Sequence, residues 1–220
     1  MDRVEIKKKA KEFAFKNKWN IWKPIIIIGV ISGVIGGILG AVGLGPELVE
    51  TADGMLEYEY TTAGSIAQII VDILLLPMSV GGMYYLIKLI RGEEFEINDL
   101  FSKYKYILPI IVIVFLVGLF TALWTLLLII PGIIYAFKVA MVPYLMADEL
   151  DESTGYMDLI NKSKEMMDGH KWEYFKFDLS FIGWILLCGI TLGIAAIWVV
   201  PYIQTANVMY FEELKKLNNK

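Results

Sequence analysis

Apolar and polar positions along this chain segregate into long blocks instead of alternating residue by residue. Residues 106–146 and 179–210 are almost wholly apolar. One helical crossing of a bilayer uses about 20 residues. Each block is too long for one crossing, so each predicts a helical hairpin. The turns are expected near Pro131-Gly132 and near Thr191-Leu192-Gly193. Two further apolar runs, 24–44 and 65–87, are each the length of a single crossing.

The polar blocks carry helical periodicity of their own. In residues 1–23, Ile6, Ala10, Phe13 and Ala14 fall on one side, as in an amphipathic helix. Between 88 and 105, Phe95, Ile97, Leu100 and Phe101 predict a short interfacial helix starting near Asn98 or Asp99. In 148–172, Ser153 or Thr154 offers a cap and Gly169 a stop. Between them Tyr156, Leu159, Ile160, Ser163 and Met167 mark one face. The fold class is therefore all-α, a polytopic membrane bundle of six transmembrane helices at about 24–44, 65–87, 106–130, 133–147, 173–190 and 194–212. A basic cytoplasmic amphipathic helix (1–23) precedes it, a cytoplasmic helical segment (148–172) interrupts it, and a tail (213–220) closes it.

Charge sets the orientation. Residues 1–23 hold eight Lys and Arg, whereas 45–64 hold five acids and no base, and neither hairpin turn contains Lys or Arg. Basic residues stay on the cytoplasmic side during insertion. Six crossings with both termini cytoplasmic put every base except Lys138 on that side. Trp19 and Trp22 stand just before the first span, where indole rings favour the headgroup layer.

Composition agrees with lipid as the solvent. The hydrophobic share is 57%, above the ~45–50% of soluble chains. The 24–44 run is longer than the ~7–15 residues of a signal-peptide core, and no small-residue cleavage pattern follows it. The single cysteine, Cys188, permits neither an intrachain disulfide nor a multi-cysteine metal site. The expected localisation is the cell membrane, multi-pass. The expected partners are membrane lipids and either another membrane protein or a second copy of the chain. No nucleic acid and no cofactor is expected.

Few residues carry candidate chemistry. Asp72 lies within the second span and Lys138 within the fourth, both ~10 Å from the outer end at 1.5 Å per residue. Ionisable groups inside a membrane are costly and acquire a partner or water, so Asp72 and Lys138 form a candidate pair, the alternative being that Lys138 snorkels outward alone and Asp72 meets water at the helix end. Gln68, Gln204, Thr205 and Asn207 would line a cavity or bond between helices. Ser163, Gly169, His170 and Lys171 form a candidate interface or docking stretch. Gly29, Gly33, Gly36, Gly37 and Gly40 recur at three- and four-residue spacing, which permits close helix packing. A lone His170 gives no tetrahedral metal site, and Ser163 has no evident third partner for nucleophilic catalysis. No nucleophile elbow, zinc helix or phosphate loop is present.

The two hairpins echo each other weakly. Trp124, Pro131-Gly132 and Pro143-Tyr144 in the first correspond to Trp184, Leu192-Gly193 and Pro201-Tyr202 in the second. An ordered set of residues then resembles a known family. It comprises Ile130-Pro131-Gly132-Ile133, Ser163, Met167-Asp168-Gly169-His170-Lys171-Trp172, Asp178-Leu179-Ser180-Phe181-Ile182-Gly183-Trp184, Thr191-Leu192-Gly193-Ile194, Trp198, Pro201-Tyr202 and Tyr210-Phe211-Glu212. The set is similar to the prokaryotic integral membrane family known as domain of unknown function 975, over nearly the whole chain. The resemblance implies a multi-span membrane protein and carries no reaction, substrate or catalytic residue. The expected function is non-enzymatic: an accessory, scaffold or lipid-organising component. The alternative is a small carrier or export component with a polar intramembrane cavity.

Overall fold

Helix dominates the computed structural model, which describes residues 2–50 and 53–218. Helix α1 (Arg3–Ala41) leads through the strands β1 (Glu47–Glu50) and β2 (Leu56–Glu59) to α2 (Thr62–Arg91). Two 3₁₀ turns, Ile97–Leu100 and Ser102–Tyr106, precede α3 (Ile107–Leu127). Then follow α4 (Ile129–Lys138), α5 (Val142–Glu149), α6 (Asp158–Met166), α7 (Lys171–Leu179), α8 (Ile182–Ile190) and α9 (Ala196–Asn218).

Among the described residues, four helical stretches are long and apolar enough to cross a membrane: Arg3–Ala41, Thr62–Arg91, Ile97–Leu127 and Ile129–Glu149. The last two expected spans are not among them. The fifth is broken at Ser180-Phe181 into α7 and α8, and α8 is only 9 residues long. The fourth is also divided, α4 ending at Lys138 and α5 starting at Val142. The 213–220 tail is helical as far as Asn218, and Asn219 and Lys220 lie outside the described residues.

The N-terminal boundary expected at residue 23 is also corrected. Asp2 caps α1 by accepting from the Val4 and Glu5 amides. The helix continues through Pro24, bent only at Asn17 (φ −110°, ψ 17°), whose side chain donates to the Phe13 carbonyl. Ile6, Ala10 and Ala14 are buried, as their periodicity predicts. What buries them is protein, since α1 packs most extensively against α9. The two run antiparallel. Lys18 lies 5.9 Å from the Trp198 ring, and the Trp22 indole donates to the Ile197 carbonyl at 3.0 Å. Lys7 and Lys11 stand over Phe181 and Trp184, and Lys7 donates to Ser180 Oγ at 2.8 Å. Cation–aromatic contacts of this kind are worth about 0.5–2 kcal/mol each.

The chain reverses from α3 to α4 at Leu128 (φ −159°, ψ 135°), three residues before the expected turn. Pro131 then occupies the first turn of α4, where a missing N–H costs nothing. Gly132 serves packing: a Cβ there would stand 2.7 Å from Thr125 Cα on α3. The second turn falls where expected, with Leu192 at φ +49° and Gly193 at φ +88°.

The β-hairpin is an addition to the expected all-α picture. Glu47 pairs with Glu59 and Glu50 with Leu56, both strands exposed. Asp53-Gly54 supplies the turn, with Gly54 at φ +79°. In 148–172, α6 buries Leu159, Ile160 and Ser163 as expected and Gly169 adopts φ +76° beyond it. Ser153 and Thr154 do not cap α6. Their hydroxyls donate to Asp151 instead, and Tyr156 is exposed.

Burial is strongly polarised along the bundle. Met78, Tyr85 and Ile87 of α2, Ile110 and Ile113 of α3, Leu145 of α5 and Tyr210 and Phe211 of α9 are buried in one core. Beyond it the apolar ends project uncovered. Leu126 in the first hairpin is 88% exposed and Leu192 in the second 94%. Surfaces so apolar require a nonaqueous environment or a partner.

Candidate functional site

The core ends in a cluster of opposed charges that helix termini deliver. Arg91 is in the last turn of α2, Asp148 and Glu149 close α5, Lys162 is on α6, and Glu212 and Lys215 are on α9. The Arg91 guanidinium donates to both Asp148 oxygens, at 2.7 and 2.8 Å. It also donates to Glu212 Oε1 at 3.1 and 2.7 Å. Lys215 bridges Asp148 and Glu149, and Lys162 adds a second cation to Glu149. Burial pushes the Lys215 ammonium down, but its bonds to Asp148 and Glu149 outweigh that and raise its pKa. Fixed bidentate geometry makes such pairs stronger than solvated ones. None of these residues was a candidate in the sequence. The signal was the position of mixed charge at the ends of spans 2, 4 and 6, which the expected topology places on one face.

Asp72 and Lys138 do not pair. Asp72 accepts from Gln68 Nε2 at 2.8 Å, one turn back on α2, and both remain outside the core. Lys138 ends α4 beside α6, and its field lowers the pKa of Asp168, after the larger effect of the Lys171 contact. Equal helical depth, which motivated the pair, says nothing about which faces meet.

The amides of α9 behave differently. Gln204 and Asn207 line a half-enclosed cavity of about 300 Å³, with Pro24, Ile25 and Ile28 of α1, Ser79, Gly82, Met83 and Leu86 of α2, Tyr144 of α5 and Val208 of α9. Asn207 Oδ1 is shielded from solvent without a hydrogen-bond partner. Thr205, expected beside them, is buried elsewhere and returns its hydroxyl to the Pro201 carbonyl at 2.7 Å. Gln68 does not reach this cavity. Ser79 and Tyr144 were missed, since a single serine or tyrosine in an apolar run carries no pattern.

Ser163 is a structural pin. Its hydroxyl donates to the Lys138 carbonyl at 2.9 Å and accepts from the Met141 amide at 3.2 Å, holding the α4–α5 break against α6. Ser163→Ala strands both groups in a fully buried site, and the expected loss is ~1–3 kcal/mol. Thermal unfolding of the purified protein checks it, with Ser163→Thr, which retains a hydroxyl, as the comparison. His170 precedes α7 with Nδ1 3.2 Å from Glu173, and Lys171 pairs with Asp168 at 2.8 Å. His170 and Lys171 thus make local polar contacts on either side of the Gly169 reversal. A Cβ at Gly29, Gly33, Gly36, Gly37 or Gly40 would meet no atom of the described residues within 4 Å, and of the five only Gly40 is closely approached, by Gly45, whose own Cβ would stand 2.7 Å from Gly40 Cα.

Residues 125–218 match the family model described as protein of unknown function (DUF975). This is the family that the sequence resembles, matched over the C-terminal part of the chain. No curated protein and no solved structure matches.

Proposed function

We propose, taking residues 125–218 as a DUF975 segment and the four long apolar helices as membrane-spanning, that the protein is a non-enzymatic, lipid-organising component of the cell membrane. The observation that carries this reading is the polarised burial. Charges are gathered and mutually paired at one end of the bundle, and uncovered apolar helix ends project from the other. The first end suits the membrane–water boundary and the second suits lipid. Ser163, the hydroxyl nearest to a catalytic candidate in the sequence, is committed to two backbone groups.

On this reading both termini are cytoplasmic, because four crossings and six are both even. The six-crossing layout requires the α8–α9 hairpin to traverse the bilayer. From Ser180, where Lys7 is held, to the Leu192 tip is 12 residues, or ~18 Å at 1.5 Å per residue, against a hydrocarbon core of ~30 Å. The hairpin therefore inserts from the cytoplasmic side without crossing. Partners are membrane lipids, with a membrane protein or a second copy of the chain as the alternative.

Single cysteines on a Cys188→Ser background test the layout. Met55→Cys is expected to label from outside intact cells, and Leu217→Cys only after permeabilisation. Leu192→Cys is expected to resist labelling from outside. Labelling of residue 192 there restores six crossings, and labelling of 55 and 217 from one side removes the membrane reading. A small carrier is the runner-up, favoured by the amide-lined cavity. Asp72 and Lys138, which an ion-coupled carrier would bring to that cavity, do not line it.

A further inference from the structure

The cavity between α1, α2, α5 and α9 has the composition of a ligand site. Its walls combine apolar side chains with four uncharged polar ones, Ser79, Tyr144, Gln204 and Asn207, and no Lys, Arg, Asp or Glu lines it. Among the described residues, neither carboxamide side chain makes a hydrogen bond, and Asn207 Oδ1 is shielded as well. A buried amide oxygen left unpaired costs ~1–3 kcal/mol. An occupant that donates a hydrogen bond recovers it.

We infer that this cavity binds an uncharged acylglycerol, its hydroxyl and ester oxygens at Gln204 and Asn207 and its acyl chain along Ile28, Met83 and Leu86. Three observations select that class. The volume of about 300 Å³ is many times the ~10–15 Å³ that a single water requires, room for a glyceryl head and its first methylenes. The cavity is half-enclosed, which leaves the rest of a chain a way out. Along α2, Ser79 to Leu86 lie 12 to 5 residues inside Arg91, ~7–18 Å at 1.5 Å per residue. Along α1 the lining begins at Pro24, directly after Trp22 and Lys23, which mark the headgroup layer, and that is the level of lipid esters and upper chains. An ionised headgroup would enter this cavity without a counter-charge, which desolvation forbids. The cations nearest along α2 and α9, Lys88 and Lys215, are already paired, with Asp99 and with Asp148 and Glu149, and Lys23 beside Pro24 donates to Asn20 Oδ1.

The inference rests on α2 being a membrane helix, and the experiment separates the two. The full chain is placed in phosphatidylcholine nanodiscs carrying a few mol% of a diacylglycerol with a photoreactive acyl chain. Adducts are expected on peptides spanning 79–86 and 204–208. Unlabelled dioleoylglycerol should displace them, and dioleoylphosphatidic acid should not. Gln204→Leu with Asn207→Leu is expected to cut labelling at least about fivefold, a hydrogen-bond-sized loss. The melting temperature should hold or rise, since an unpaired buried amide is removed. Gly82→Leu fills the cavity from the opposite wall, where a Cβ meets only Ile28 Cδ1 at 3.5 Å and Pro24 Cβ at 3.9 Å. It should abolish labelling. Labelling spread over the exposed helix ends, unchanged in these variants, or displaced equally by the phosphatidic acid overturns the proposal. Failure of the membrane reading shows separately, in the side from which residue 55 is labelled.

Discussion

Replacing Gly81 with alanine is expected to be the most damaging single-methyl change in the protein. A Cβ at that position would stand 2.1 Å from the Leu100 carbonyl oxygen and 2.6 Å from its carbon. These are backbone atoms of a 3₁₀ turn, and the turn is tied to α2 by the Lys88–Asp99 pair at 3.0 Å. Nothing at the contact can rotate aside, so either the turn lifts off α2 or the helix shifts. The cost should reach or exceed the ~1–3 kcal/mol usual for overpacking a core. Gly82→Ala is the internal control. One residue along the same helix, its new methyl meets only ordinary contacts. Alanine is the better helix former by ~1 kcal/mol, so this variant should melt at or above the parent temperature. Equal melting of the two variants would show that the 3₁₀ turn is not seated on α2.

Arg91→Ala should be nearly as severe. It removes four hydrogen bonds at once and leaves Asp148, whose side chain is 6% exposed, with Lys215 as its remaining cation. An exposed pair is worth ~0–1 kcal/mol, and stripping one partner from a fully buried pair costs ~3–5 kcal/mol. Arg91 is itself 26% exposed, which places the expected loss between those values. Arg91→Lys should recover only part of it, because an ammonium cannot span Asp148 and Glu212 with a planar fork. Adding Asp148→Leu and Glu212→Gln to Arg91→Met should recover more than Arg91→Lys does, since neither carboxylate is then left without the guanidinium. Thermal melts of the four proteins in one detergent order them.

These two sites show how far the sequence could be read. The apolar blocks, the second hairpin turn and the faces of α1 and α6 follow from periodicity, which depends only on local geometry. Which helix meets which does not. The glycines whose spacing suggests packing, from Gly29 to Gly37, are open, and Gly40 meets only the turn at Gly45. Gly81 and Gly132, which do pack, belong to no spaced series. Asp72 and Lys138 were matched by depth alone, and the structure sends Asp72 to Gln68. Gln204 and Asn207 were legible as polar groups in an apolar span, and the cavity that joins them needed α1, α2 and α5 in place. Lengths alone did not reveal that the last hairpin is interrupted at Ser180-Phe181, because the residues on both sides remain apolar.

The pairing of Lys7, Lys11 and Lys18 with Phe181, Trp184 and Trp198 also constrains biogenesis. These lysines leave the ribosome about 180 residues ahead of their aromatic partners, a delay of roughly 10–40 s at ~5–20 residues per second. Throughout that interval Ile6, Ala10 and Ala14 lack α9, and only α2 and the first 3₁₀ turn are available to pack against α1. Closure of the fold is thereby deferred to the end of translation, and a ribosome stalled before codon 180 would hold an unclosed chain.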